Sequence, residues 1–127
     1  RDTLQKSLPV FTAMLRTMTF REDVMEKGAA GGFTNATDCA DYLTKKGVPF
    51  RDAHRVVGEL VNYCIKADAA LMDLSLEELK SFHPAFEQDV FEAISLKTCV
   101  EGRCIPGGPA PSAVQSSIDE ARMQLKL

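Results

Sequence analysis

The chain has 127 residues, of which 45% are hydrophobic and 26% charged, and its formal net charge is −3. This length suits one domain, and the composition is too apolar for a disordered chain. The acidic balance argues against nucleic acid as the main partner, because phosphate binding needs a basic face. No apolar run is long enough to cross a bilayer and no signal peptide opens the sequence, so we expect a cytoplasmic protein.

The first predicted element is a helix over about Asp2–Met18, with Pro9 expected to kink it. Its apolar residues recur at helical spacing on more than one face: Leu4, Leu8, Val10, Phe11, Met14, Leu15 and Met18. Such a helix is normally buried on several sides, and a small domain offers little to cover it. We therefore expect residues 1–27 to belong to a larger helical bundle, in a fragment of a longer chain.

A capping-box sequence, Thr19–Glu22, predicts a second helix that runs to about Lys27. Glycines between residues 28 and 32 then mark the one plausible boundary, before a compact helical domain over residues 33–127. These glycines follow a helix rather than a strand, so we interpret them as a connection and not as a phosphate-binding loop.

The most informative segment is Thr34–His54, which predicts a helix-turn-helix hairpin. Apolar residues at i, i+3, i+4 and i+7 give its first helix one buried face: Ala36, Cys39, Ala40 and Leu43. Gly47 stands where a left-handed residue ends a helix, and Pro49 prevents continuation. The second helix, about 49–66, carries its own apolar face: Phe50, Ala53, Val57, Leu60, Val61 and Cys64.

Shorter helices are predicted after residue 71. Ser75–Glu78 is a second capping box, His83-Pro84 ends that helix, and Ser95 caps another turn. The helical face between them is formed by Phe86, Val90, Phe91 and Ile94. A last helix, capped by Ser112, should bury Val114, Ile118, Ala121 and Leu125. With no alternating strand pattern, the predicted fold is all-α: a small orthogonal helical domain built on helix-turn-helix hairpins, preceded by the tail of a long bundle helix.

The polar residues of the hairpin do not form a catalytic constellation. Asp38 and Asp41 lie in the first two turns of a helix, where capping or an ion pair is favoured over a paired acid–base role. His54 and His83 are interpreted as structural, although a base role for His54 is conceivable. Four basic residues near the turn could in principle contact DNA: Lys45, Lys46, Arg51 and Arg55. The acidic residues Asp52 and Glu59 lie among them and reduce the positive charge of this patch.

The cysteines and tyrosines have structural interpretations as well. Cys39 and Cys64 lie on apolar helical faces and are expected in the core. Cys99 and Cys104 flank a short loop and could bridge, but a disulfide is not expected in a reducing cytosol, and no metal-ligand spacing is present. Two tyrosines are expected to be half-buried rather than substrate-binding: Tyr42 and Tyr63.

Residues 37–54 read Thr-Asp-x-Ala-Asp-Tyr-Leu-x-x-Lys-Gly-Val-Pro-Phe-Arg-x-Ala-His. This segment closely resembles the C-terminal domain of argininosuccinate lyase, a member of the aspartase/fumarase superfamily. Further segments resemble the family in the same chain order: Asp2–Leu4, Asp73–Leu79, Phe86–Val90 and Pro106–Pro111. The resemblance covers essentially the whole chain. Pro109 departs from it, because the family usually has threonine or serine there, and the change removes a donor.

The resemblance implies a homotetramer on a central helical bundle that splits argininosuccinate into arginine and fumarate by β-elimination, without a metal or organic cofactor. The family's general base is a serine in a Gly-Ser-Ser-x-Met-Pro-x-Lys-x-Asn-Pro loop, assisted by a histidine. Its substrate-binding segment reads Tyr-Asn-Lys-Asp-x-Gln-Glu-Asp-Lys. Neither motif occurs in this chain. We therefore assign no catalytic, cofactor-binding or metal residue, and expect the chain alone to be inactive, with other subunits as its partners.

Two alternatives remain at this point. Members of the family also serve as lens crystallins, so a non-catalytic structural or protein-interaction role is possible for such a helical domain. A regulatory DNA-binding hairpin is the other alternative, which the acidic net charge disfavours.

Overall fold

The computed structural model describes residues 2–126, which contain helices and no β-strand. The eight α-helices are α1 Asp2–Thr17, α2 Glu22–Ala30, α3 Ala36–Lys45, α4 Phe50–Ala67, α5 Leu76–Phe82, α6 Val90–Ala93, α7 Leu96–Glu101 and α8 Pro111–Leu125. A 3₁₀ turn over Leu71–Asp73 follows α4. The predicted all-α class is confirmed.

The predicted hairpin is formed by α3 and α4, and its turn follows directly from the sequence. Gly47 has φ +92°, the left-handed conformation that glycine adopts without steric cost. The amide of Gly47 donates to the Thr44 carbonyl, and the amide of Val48 donates to the Leu43 carbonyl, both at 3.0 Å. These two bonds form a Schellman motif and satisfy carbonyls that the helix end leaves free. Pro49 then occupies the N-cap of α4.

The core lies where α3 and α4 meet the short helices that follow them. Its largest fully buried side chains are Phe86, Leu43, Leu60, Leu71, Leu79, Ile94, Val90, Cys39 and Cys64. The two hairpin cysteines are therefore core residues, as predicted. Phe50 is a correction: it is 60% exposed, and its ring packs against His54 on its own helix instead of entering the core.

Helices α1 and α2 bury none of their side chains. The predicted capping box at Thr19 does not form: Arg21 takes the N-cap position of α2, so the Thr19 hydroxyl stands two residues too early. The helix also continues through Gly28 to Ala30, because one glycine inside a helix costs only about 1 kcal/mol.

The later helices differ from the prediction in two respects. Phe86 lies in the core but precedes α6, which has only four residues, so its burial does not come from a helical face. In α8 only Ala113 is buried, and the predicted inner stripe is wrong: Val114, Ile118 and Leu125 are 41–67% exposed. Ser112 does not cap α8 either; Pro111 begins the helix and Ala110 stands at the N-cap.

Candidate functional site

The first polar cluster joins α3 to the segment before α6 and is centred on Tyr42. The Tyr42 hydroxyl donates to Asp89 Oδ1 at 2.5 Å and accepts the Glu87 amide at 3.2 Å. Lys46 Nζ pairs with Glu87 Oε2 at 2.6 Å and with Asp89 Oδ2 at 3.0 Å. The Tyr42 ring stacks on Phe86, with centroids 6.1 Å apart. We call these residues the Tyr42 cluster.

In the Tyr42 cluster one ammonium group, that of Lys46, faces two carboxylates, those of Glu87 and Asp89. Burial, and then the hydrogen bond to Asp89, raises the pKa of Tyr42. The Tyr42 hydroxyl and Lys46 lower the pKa of Asp89, and Glu87 and Asp89 raise the pKa of Lys46. All three shifts keep the phenol protonated and the ion pairs charged near neutral pH. A phenol held in its neutral form by a carboxylate is a poor base, so this cluster positions the chain rather than transfers protons.

The second polar cluster lies at the other end of α3, around Arg103. Its guanidinium Nη2 lies 3.0 Å from Asp38 Oδ2, and Nη1 donates to the Cys99 carbonyl. Asp38 thus forms an ion pair, as the sequence favoured. A cleft of about 270 Å³ opens beside these residues, with Asp41 and Lys45 on its rim.

A larger cleft, about 690 Å³, lies between α2, the 3₁₀ turn and the start of α7. Its walls are mostly apolar and include Phe33, Leu71 and Leu96, and its rim carries Asp68 and Lys97. In residues 2–126 every buried side-chain nitrogen or oxygen has a hydrogen-bond partner, so no buried polar group is left free to hold a ligand in this cleft.

The polar residues that the sequence analysis considered and interpreted as structural are dispersed rather than brought together. His54 is exposed and its ring lies 4.5 Å from the Phe50 ring. His83 Nδ1 accepts the Ala85 amide at 3.2 Å, a local role as expected. Arg55 pairs with Glu59 on its own helix at 2.8 Å, and Tyr63 donates to Glu78 at 3.3 Å. No nucleophile and base face each other in these contacts.

The four cysteines are free thiols. Cys39, Cys64 and Cys99 are buried, and Cys104 is exposed. Burial raises the pKa of Cys39 to about 12 and that of Cys99 to about 11, which makes both thiols unreactive near neutral pH. Across residues 2–126 no group of three or more histidine, cysteine, aspartate or glutamate residues is placed to hold a metal ion.

Sequence reasoning missed three residues that organise these contacts. Asn35 is buried and its amide donates to the Ile94 carbonyl at 2.9 Å, while Asp89 and Arg103 reach partners on α3. No sequence signal could have identified them, because each partner lies 47 to 65 residues away in the chain.

The described helices are all too short or too polar to cross a membrane. The hairpin core and the paired polar clusters define a small all-α domain built around the α3–α4 hairpin. The family model described as "Argininosuccinate lyase C-terminal" matches residues 33–101, which include both hairpin helices. The chain belongs to this family.

Curated relatives extend the match over nearly the whole chain. It is 54% identical to the argininosuccinate lyase of Desulforamulus reducens over 125 residues and to that of Heliobacterium mobile over 124 residues, 98% of this chain in each case. The argininosuccinate lyase of Acetivibrio thermocellus is 52% identical over 118 residues, 93% of this chain. The matched parts are 26–27% of those relatives, so the chain spans about a quarter of their length.

Proposed function

We propose that this chain is the C-terminal part of an argininosuccinate lyase, and that the longer protein splits argininosuccinate into arginine and fumarate for arginine biosynthesis. The observation that carries the proposal is the 54% identity over 98% of the chain to enzymes of that name. The family match over the hairpin supports it independently of the flanking helices.

The chain alone is expected to be inactive. Its two polar clusters are internally paired, and neither the serine loop nor the substrate-binding motif of the family occurs in the sequence. Its contribution to the enzyme is therefore structural, and argininosuccinate is held by residues outside it.

Assembly with other subunits, as a cytoplasmic homotetramer, is the second part of the proposal. In α1 the apolar side chains are 52–66% exposed: Leu4, Leu8, Val10, Phe11, Met14 and Leu15. Apolar area of that kind is costly in water and is normally covered by protein. Residues 1–27 would then belong to the central bundle of the tetramer, and residues 33–127 would form the terminal domain.

Fumarate formation from argininosuccinate tests the proposal. The longer reading frame and the 127-residue chain are purified separately and assayed by the ultraviolet absorbance of fumarate. We expect turnover by the longer protein and none by the chain alone. A folded longer protein that forms no fumarate would overturn the enzymatic proposal and favour a crystallin-like structural role. Turnover by the 127-residue chain would show that its own residues perform the chemistry.

A further inference from the structure

Helix α8 has little packing of its own to hold it in place. Within the helix only Ala113 is buried, and Ala110 is buried at its N-cap. Its larger apolar side chains, such as Ile118 and Leu125, remain exposed. The position of α8 must therefore be set mainly by the loop of residues 102–110 that precedes it.

Arg103 makes the side-chain contacts that join that loop to α3 and α7. Its guanidinium pairs with Asp38 on α3 at 3.0 Å and donates to the carbonyl of Cys99 on α7. Its own carbonyl accepts the amide of Ala110, at 3.4 Å, where α8 begins. One side chain and its backbone thus connect α3, α7 and the start of α8.

Gly108 shows how closely the loop folds over Arg103. A Cβ atom at position 108 would lie 2.2 Å from the Arg103 carbonyl oxygen and 2.9 Å from that of Ile105. Only glycine permits this approach, since backbone atoms cannot yield as a flexible side chain does. We call the loop of residues 102–110 the strap. It is tightly folded, and this folded state depends on the position of Arg103.

The reactivity of the Cys99 thiol can report whether this strap is open or closed. Cys99 is 8% exposed, and its thiol lies close enough to Asp38 and Arg103 for both to affect its pKa. Cys39 and Cys64, by contrast, are 0% exposed in the core, and Cys104 is on the surface. The three environments distinguish a local opening of the strap from unfolding of the domain.

We propose that Asp38 and Arg103 form a latch that holds the loop of residues 102–110 and α8 against α3, and that this segment opens as a unit while the hairpin core stays folded. Local opening of this kind is expected where few apolar contacts hold a segment and its polar contacts are partly exposed. The latch thereby sets the position of the last helix.

Thiol reactivity in the 127-residue chain tests the latch. The reference protein carries Cys104→Ser, so that only buried thiols remain, and the probe is an aromatic disulfide that releases a coloured thiolate. Each reacting cysteine loses its proton to solvent, forms a new S–S bond with one sulfur of the probe and releases the other sulfur. The modified cysteine is identified by peptide mass spectrometry.

Arg103→Met keeps the side-chain length and removes the guanidinium. We expect Cys99 to react roughly tenfold faster than in the reference protein, because hydrogen bonds to a charged group of this kind shift an opening equilibrium by about that factor. Cys39 and Cys64 should stay unreactive. Asp38→Asn should act in the same direction. Because Asp38 raises the pKa of the Cys99 thiol and Arg103 lowers it, only a faster reaction in Arg103→Met runs against the change in thiol pKa, and that variant therefore decides the test.

The matched control is Arg55→Met, which removes a guanidinium paired only with Glu59 on the same helix. It should leave the Cys99 rate unchanged. Equal Cys99 rates in Arg103→Met, Asp38→Asn and the control would overturn the latch. The latch would also be overturned if Cys39 and Cys64 reacted with the probe at the same rate as Cys99. That result would mean that the whole domain unfolds and not the strap alone.

Discussion

The contacts of Tyr42 give this side chain a structural role. Its ring lies in the core against Phe86, while its hydroxyl reaches Asp89 and the amide of Glu87 at the surface. Lys46 forms ion pairs with the carboxylates of both Glu87 and Asp89 and lies 5.3 Å from the centre of the Tyr42 ring. The cluster ties α3 to the segment that positions Phe86 and α6.

The lowered pKa of Asp89 predicts an acid dependence of stability. The Tyr42 hydroxyl and Lys46 favour the charged carboxylate in the folded state. The resulting stability is complete above the ordinary aspartate pKa, about 3.9, and is lost as the pH falls through the lowered value. Urea unfolding at about pH 6 and about pH 3 should show a smaller loss of stability in Asp89→Asn than in the wild type, although some loss remains because the pKa of Glu78 is lowered too.

Asp41→Asn is the control for this measurement, because Asp41 is an exposed residue of α3 outside the Tyr42 cluster. It should keep the wild-type loss on acidification. An Asp89→Asn protein with the same acid dependence as the wild type would contradict the assignment of that stability to Asp89.

At the scale of elements, two capping-box sequences with the same spacing have different outcomes. Ser75 and Glu78 form a complete capping box: the Glu78 amide donates to Ser75 Oγ at 3.2 Å, and the Ser75 amide donates to Glu78 Oε2 at 2.8 Å. Thr19 and Glu22 have the same spacing but make no cap, since α2 begins three residues after Thr19. The two helices differ in packing: Leu79 of α5 is fully buried in the core, whereas α2 buries none of its residues.

This contrast predicts unequal effects of two similar substitutions. Ser75→Ala should lower the free energy of unfolding by about 1 kcal/mol, because it removes an N-cap that is in use. Thr19→Ala should change it by less than about 0.5 kcal/mol, as is usual for an exposed side chain. Chemical denaturation followed by circular dichroism measures both; equal losses would show that the two boxes do not differ in solution.

At the scale of the whole molecule, the buried residues and the exposed apolar residues lie in different parts of the chain. The core is built between Asn35 and Ala113, while α1 keeps every apolar side chain more than half exposed. When the chain is alone in solution, a second copy of it offers an apolar surface that can cover α1. We therefore expect self-association through the face that carries Leu8 and Leu15.

Sedimentation velocity over a range of protein concentrations tests this expectation. The wild-type chain should form dimers or larger species as the concentration rises, since burial of apolar area is favourable by about 25 cal/mol per Å². Leu8→Glu with Leu15→Glu should shift the equilibrium to the monomer. Met123→Glu, at a position on α8 that is more exposed than Leu8 or Leu15, should have no such effect. A wild-type chain that is monomeric at every concentration would contradict the prediction.

Most of the fold was predictable because its signals are local. The α3–α4 hairpin follows from apolar spacing within each helix and from Gly47 and Pro49 at its turn. The stripe of α8 was predicted wrongly because apolar spacing indicates a face without indicating whether anything covers it. The assignment of no catalytic residue remains a prediction about this chain.

The sequence by itself determined the all-α class, the α3–α4 hairpin, the N-caps at Ser75 and Ser95, and the burial of Cys39 and Cys64. It also carried the resemblance to the family. Only the tertiary structure decided that Asp89 meets Tyr42 and that Arg103 meets Asp38, across 47 and 65 residues of chain. The physical reason is range: helix propensity and capping act over a few residues, whereas ion pairs and packing join residues that the fold brings together.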